Sequence, residues 1–243
     1  MNIPQIIFNN VRPLFYVPIL LFGVSLIRFL LFYRRFKNSR YKLESGNSVI
    51  KTIRNRGDLG EFLIFEELEK RNMESKILTN VYLSKEDGST TEIDVMMVDP
   101  TGIYVFESKN FSGWIFGDEK GKNWTQSLKG GKKNKFYNPI WQNNGHISAL
   151  RRHLTKINPA LFYSFIVFGN QCELKKVTVN QPELRIIKRN ILRGILDLDV
   201  EKRPNVFSNS EVVQIYEELS RCTLTDEKTK QNHINEIKSK VNY

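Results

Sequence analysis

The feature that most limits what this chain can become is a run of 19 residues, "LFYVPILLFGVSLIRFLLF", which opens at Leu14, closes at Phe32 and carries Arg28 as its single charge. As a helix it is long enough to cross a hydrocarbon core of about 30 Å. Arg28 lies four residues from the end, where its guanidinium can reach the interface. Arg12 precedes the run, whereas Arg34, Arg35, Lys37, Arg40 and Lys42 follow it. That asymmetry puts the C-terminal bulk in the cytoplasm. A cleaved leader would end in a small-residue cleavage site, and here the run gives way to "YRRFKNSR". The expectation is a single-pass anchor in the cell membrane, residues 1–33, with everything after it cytoplasmic.

The anchor also accounts for the charge. Of a net +11, residues 1–56 contribute ten Lys/Arg against Glu44 alone, and from Gly57 onward 27 basic residues face 25 acidic ones. Most of the basicity therefore belongs to the appendage, and residues 34–56 read as a basic juxtamembrane linker that touches anionic head groups. Cys172 and Cys222 stand far apart with no metal-ligand spacing, which suggests neither a zinc site nor a disulfide framework.

The folded domain starts near Gly57. In "GDLGEFLIFEELEKR", Leu59, Phe62, Leu63, Phe65 and Leu68 recur at helical spacing, with Asp58 near the N-terminus. "ILTNVYL", "IDVMMV", "IYVFESK" and a short "GWIFG" are strand-like, and Asp99-Pro100-Thr101-Gly102 has the chemistry of a turn. Asn138-Pro139 opens a further helix whose apolar stripe runs through Ile140, Ile147, Leu150 and Leu154. Then come a buried strand "ALFYSFIVF", a weaker strand "LRIIK", a helix "NILRGILDL", and a helix capped by Ser208 and Glu211; Thr225 with Asp226 and Glu227 opens a last one. This order predicts an α/β domain with a mixed sheet covered on both faces, residues 57–160 as its core and 161–243 completing it.

If the turn is Asp99 to Gly102, cross-strand partners sum to 201. Val98 then meets Ile103, Met96 meets Val105, Asp94 meets Glu107 and Glu92 meets Lys109, with all four polar side chains on one face. Two carboxylates side by side repel one another, so a cation belongs between Asp94 and Glu107. Magnesium or manganese fits such a site and leaves positions for water and a phosphate. Lys109 projects from the same side, able to orient an attacking water, and Glu92 opposite holds it. The alternative is a solvated edge hairpin in which Glu92 and Lys109 form a weak surface pair.

The series "GDLGE", "EID", "GIYVFESKN", "FSGWIFG", "KNWTQ" and "NPIWQNN" resembles the nuclease-related domain (NERD) family, a branch of the PD-(D/E)xK nuclease superfamily, over roughly residues 57 to 155. The resemblance implies a restriction-endonuclease-like core, a central mixed sheet flanked by helices, and magnesium-dependent hydrolysis of phosphodiester bonds. It implies Glu61, Asp94, Glu107 and Lys109 as the catalytic set, with Gln142 on the following helix in support. Where the superfamily carries proline before the aspartate, this chain has Ile93, a variation the superfamily tolerates. His146 and His153 share the helix of Gln142 and read as packed or solvated side chains outside that set.

From Lys120 to Lys156 there are nine Lys/Arg and no acid. Lys120, Lys122, Lys129, Lys132, Lys133 and Lys135 are candidate phosphate contacts, with Trp124, Phe136, Tyr137 and Trp141 interleaved as stacking candidates. The lysines read as a basic loop around "KGGKKNK". No base-reading motif accompanies them, so binding should be salt-dependent and largely blind to sequence. The expected activity is a membrane-anchored nuclease acting on DNA, with no small-molecule cofactor. The alternatives are a catalytically silent module of the same fold that holds nucleic acid or a partner protein at the membrane, and a scaffold working through its linker and terminal helices.

Overall fold

The computed structural model describes residues 3–71, 74–181 and 183–223, with side chains from residue 16 onward; the helix expected at Thr225 lies outside the described residues. Helix α1 (Ile3–Asn38) takes in the apolar run and continues beyond it. From Tyr16 to Asn38 it is long and apolar enough to span a membrane, with a mean hydropathy of 1.9 and none of its most apolar stretch buried.

Residues 34–56 are mostly helical, with breaks at 39–40, 46–48 and 55, and part of the segment packs on the helix that follows it. The end of α1 leads into α2 (Tyr41–Ser45), α3 (Val49–Arg54) and α4 (Arg56–Glu69). Phe36 and Tyr41 are buried against Phe62 of α4, and Arg35 grips both carboxylate oxygens of Glu66. Phe36 and Tyr41 are the two aromatics that a reading by charge alone passes over.

The central sheet runs β1 (Lys76–Ser84), β2 (Thr90–Asp99), β3 (Gly102–Lys109), β7 (Phe162–Phe168), β9 (Leu184–Lys188). Its first three strands are antiparallel and its last three parallel, so the sheet is mixed as expected. A second sheet runs β6 (Lys133–Tyr137), β5 (Asn123–Ser127), β4 (Gly113–Asp118), β8 (Cys172–Thr178). Most of it escapes a hydropathy reading: β5, β6 and β8 carry polar residues on their open side. The expected basic loop is a hairpin.

Alternation along the central strands divides the core. Tyr104 and Phe106 face α4 and α6 (Leu192–Glu201), sharing one apolar cluster with Phe62, Phe65, Leu192 and Leu196. Ile103 and Val105 face α5 (Pro139–His153) and α7 (Asn209–Ser220), clustered with Ile147, Leu150, Val212 and Leu219. A third cluster, around Trp124, Ile115, Ile140 and Phe168, lies under the second sheet. The expected caps are formed: Asn138 Oδ1 accepts from Ile140 N at 3.0 Å, and Ser208 and Glu211 make a reciprocal capping box.

Candidate active site

The β2–β3 hairpin follows the expected register from Asp99↔Gly102 back to Val95↔Phe106. Its turn is tied by Asp99 Oδ1, which accepts from Thr101 N at 3.0 Å and from Thr101 Oγ1 at 2.7 Å. Gly102 closes it at φ 143°, where a side chain would be strained. The hairpin is not at an edge: β7 flanks β3, and Glu107 lies opposite Ile166 at 1% exposure. This excludes the solvated-edge alternative.

Beyond Val95 the simple alternation fails. Val95 and Met97 pack toward α4, yet Ile93 joins Met96 and Val98 in the cluster toward α5. Strand β2 changes faces at Asp94. Opposite it on β1, Asn80 sits at φ 54°, a left-handed conformation asparagine tolerates. Asp94 is held toward β3 by Ser108 N, which donates to its Oδ2 at 3.2 Å. Glu92 is redirected: it accepts from the Tyr82 hydroxyl at 2.6 Å, and the ion pair of Lys109 is with Glu107 instead. The expected Glu92–Lys109 pairing is thus corrected by the local change of face.

Lys109 Nζ lies 2.5 Å from Glu107 Oε1 and donates to Gln142 Oε1 at 3.0 Å. On the same helix, one turn past Gln142, His146 places Nε2 3.0 Å from Glu107 Oε2 and Nδ1 2.7 Å from Thr91 Oγ1. An ionised carboxylate only accepts, so Nε2 is the nitrogen that donates toward Glu107, with Thr91 Oγ1 held at Nδ1. Both oxygens of Glu107 are therefore fixed. Asn143 ties α5 down by donating to Val105 O at 3.0 Å and to Ser164 Oγ at 2.8 Å. Sequence reasoning left His146 out; its i, i+4 spacing from Gln142, which puts both on one helix face, was the signal available.

Glu61 enters from α4. The helix can start across the end of β3 because residue 60 is glycine; a Cβ there would meet Ser108 Oγ at 2.6 Å and Asn110 Cβ at 3.0 Å. Glu61 Oε2 is 3.5 Å from the hydroxyl of buried Tyr41, whose oxygen also approaches Asp58 O at 3.3 Å. The five side chains Glu61, Asp94, Glu107, Lys109 and Gln142 come together at one end of the sheet.

Their electrostatics are uneven. Burial, then repulsion from Glu107, pushes the Asp94 carboxyl well above its usual range. Burial, then repulsion from Asp94, does the same to Glu61. Glu107 is buried too, but Lys109 and His146 outweigh that cost and hold it below the usual range. Lys109 gives up hydration to stay buried, and Glu107 and Asp94 more than restore its preference for the charged form. One ammonium thus faces three carboxylates. The uncompensated charge fits a divalent cation with oxygen preference. Among the described residues no cluster of three or more His, Cys, Asp or Glu could hold an ion alone.

The six candidate phosphate contacts lie apart from this cluster, on the second sheet. Lys120 and Lys122 are exposed between β4 and β5, Lys129 and Lys132 between β5 and β6, and Lys133 and Lys135 on β6. Of the interleaved aromatics, Trp124 is fully buried, stacked on Phe168, and Phe136 packs against it. Those two serve the core, whereas Tyr137 and Trp141 are exposed.

Residues 56–169 match the sequence model described as "Nuclease-related domain". An uncharacterized protein of Bacillus anthracis is 33% identical over 197 residues, which cover 80% of this chain and 90% of that protein. No solved structure matches.

Proposed function

Because the chain belongs to the nuclease-related domain family, which is generally assigned to the PD-(D/E)xK superfamily, we propose that it is a metal-dependent nuclease hydrolysing phosphodiester bonds, with DNA as the expected substrate. The observation that carries this reading is the cluster of half-buried Glu61 and Asp94 with buried Glu107, and Lys109 as the cation set against it. A chain with no use for the site would gain stability by discarding one of these carboxylates.

Asp94 and Glu107 would hold magnesium or manganese. When bound, that ion supplies positive charge to the phosphate and acidifies water. Lys109, steered by Gln142, sets an ammonium where charge grows on the phosphate oxygens. His146 keeps Glu107 ionised and in one rotamer, and Tyr41 does the same for the orientation of Glu61. Water forms the new bond to phosphorus, the bond to the leaving oxygen breaks, and that oxygen takes up a proton.

The apolar length of α1 and the five basic residues after Phe32 support a single-pass anchor in the cell membrane with the domain in the cytoplasm. The close Lys109–Glu107 pair favours one rival, a silent module in which the lysine replaces the metal for good. Purified protein with plasmid, linear and single-stranded substrates decides. Cleavage with magnesium or manganese and none in EDTA supports the enzyme; binding without cleavage under every metal condition supports the silent module.

A further inference from the structure

We infer that the open face of the second sheet is a platform for unpaired nucleic acid, with aromatic side chains stacking on bases and lysines at its margins holding phosphates. This rests on the nucleic-acid reading above. Strand register sorts the residues. Ile115 and Gln126 point inward, and a Cβ on Gly117 would collide with Trp124 beneath it. Trp114 and Phe116 on β4 therefore point outward, as do Lys133, Lys135 and Tyr137 on β6.

Read across the strands, one row runs Lys135, Thr125, Phe116, Lys176, and the next Lys133, Ser127, Trp114, Glu173. Aromatics occupy the inner strand, lysines the outer strands, and small polar residues the gap. Trp114 is 52% exposed and Tyr137 47%. Lys175 lies over the Trp114 ring at 5.2 Å, and the one acid in these rows, Glu173, is engaged by Lys175 at 2.7 Å. Exposed aromatics in a field of lysines match the two needs of single-strand binding, stacking and phosphate neutralisation, with no need for hydrogen bonds to base edges. A duplex hides its base faces and gives the rings nothing to stack on.

At the end of the platform, Tyr137 packs edge-on against Trp141 of α5 at 6.2 Å.

The test uses the full chain in phosphatidylcholine nanodiscs with EDTA, so that binding is read without cleavage. Fluorescence anisotropy follows a labelled oligothymidylate and a duplex of equal length. Trp114→Ala and Tyr137→Ala should each weaken single-strand binding about tenfold or more and leave duplex binding nearly unchanged. Lys135→Gln with Lys176→Gln should flatten the salt dependence. Melting temperatures matching wild type show that these exposed substitutions leave the fold intact. Equal losses on both substrates, or no loss from either aromatic, would overturn the inference. So would loss of oligonucleotide binding on adding phosphatidylserine to the nanodiscs, at a salt concentration that screens bulk repulsion, because lipid would then occupy the face. A separate magnesium cleavage assay tells the two readings apart. Intact cleavage with indifferent aromatics defeats the platform alone; absent cleavage with aromatic-dependent binding defeats the nuclease alone.

Discussion

Replacing Asp94 by asparagine should raise the melting temperature of the metal-free protein. The side chain keeps its shape and still accepts from Ser108 N, so what changes is its charge. At a separation of about 5–7 Å, Asp94 and Glu107 would repel by about 2–3 kcal/mol at an effective dielectric near 20. Lys109 offsets a comparable amount, which leaves the burial of Asp94 and its repulsion with Glu61. A residual of about 1–2 kcal/mol corresponds to roughly 2–8 °C in a domain of this size. The sign follows from the direction of the shift: the folded state prefers the neutral carboxyl, so stability is fully present below the ordinary carboxylate range and is lost as pH rises through the raised folded values. In EDTA, wild type should therefore lose more stability than Asp94→Asn as pH climbs, with Glu61 alone continuing to act in the variant. Magnesium reverses the order. At ten times its Kd it should stabilise wild type by about 1.4 kcal/mol and the variant hardly at all. Melts of both proteins in EDTA and in magnesium across a pH series give all four quantities. A lower melting temperature for the variant in EDTA, or an equal magnesium response, would refute the account.

Lys109→Ala should abolish plasmid cleavage while magnesium still raises the melting temperature, because the ammonium acts on phosphate and water rather than on the ion; loss of the magnesium response would mean the lysine organises the metal site. His146→Ala strips Glu107 Oε2 and Thr91 Oγ1 of a shared buried partner and should cost about 1–3 kcal/mol in chemical denaturation, with cleavage falling at saturating magnesium; an unchanged denaturation midpoint would remove His146 from the network. Gly60→Ala forces α4 away from Ser108 and Asn110 and should cost about 1–3 kcal/mol, with cleavage reduced beyond what the loss of folded protein explains; a variant matching wild type in both would show that the close approach carries no positional role for Glu61. Carbonate-washed membranes should retain the full-length chain, and its recovery in the soluble fraction would dismiss α1 as an anchor.

Strands β2 and β3, the turn between them and the caps of α5 and α7 were legible because each rests on short-range chemistry: alternation, a turn glycine, an Asn-Pro or Ser-x-x-Glu spacing. The register is legible from Asp99 back to Val95, whereas Asp94, Glu107 and Lys109 lie just beyond it, with Asp94 held toward β3 by Ser108 N. The fate of Glu92 was not legible, since the change of face at Asp94 depends on a left-handed Asn80 in a different strand, and no local pattern marks it. Glu61 owed its place to resemblance, and the structure adds a physical reason in the side-chain-free Gly60 beside it. The second sheet was mostly hidden because three of its strands bury little, leaving no apolar period to detect. His146 was visible as a helical neighbour of Gln142, but its partners Thr91 and Glu107 come from other strands.

The packing of Phe36 and Tyr41 onto Phe62, with Arg35 clamped to Glu66, leaves no swivel between α1 and the catalytic layer. For an anchored chain this turns the membrane helix into a mast: tilt or rotation of the helix is tilt or rotation of Glu61, since Tyr41 touches both. The domain then works at a fixed height and attitude above the bilayer and searches in two dimensions.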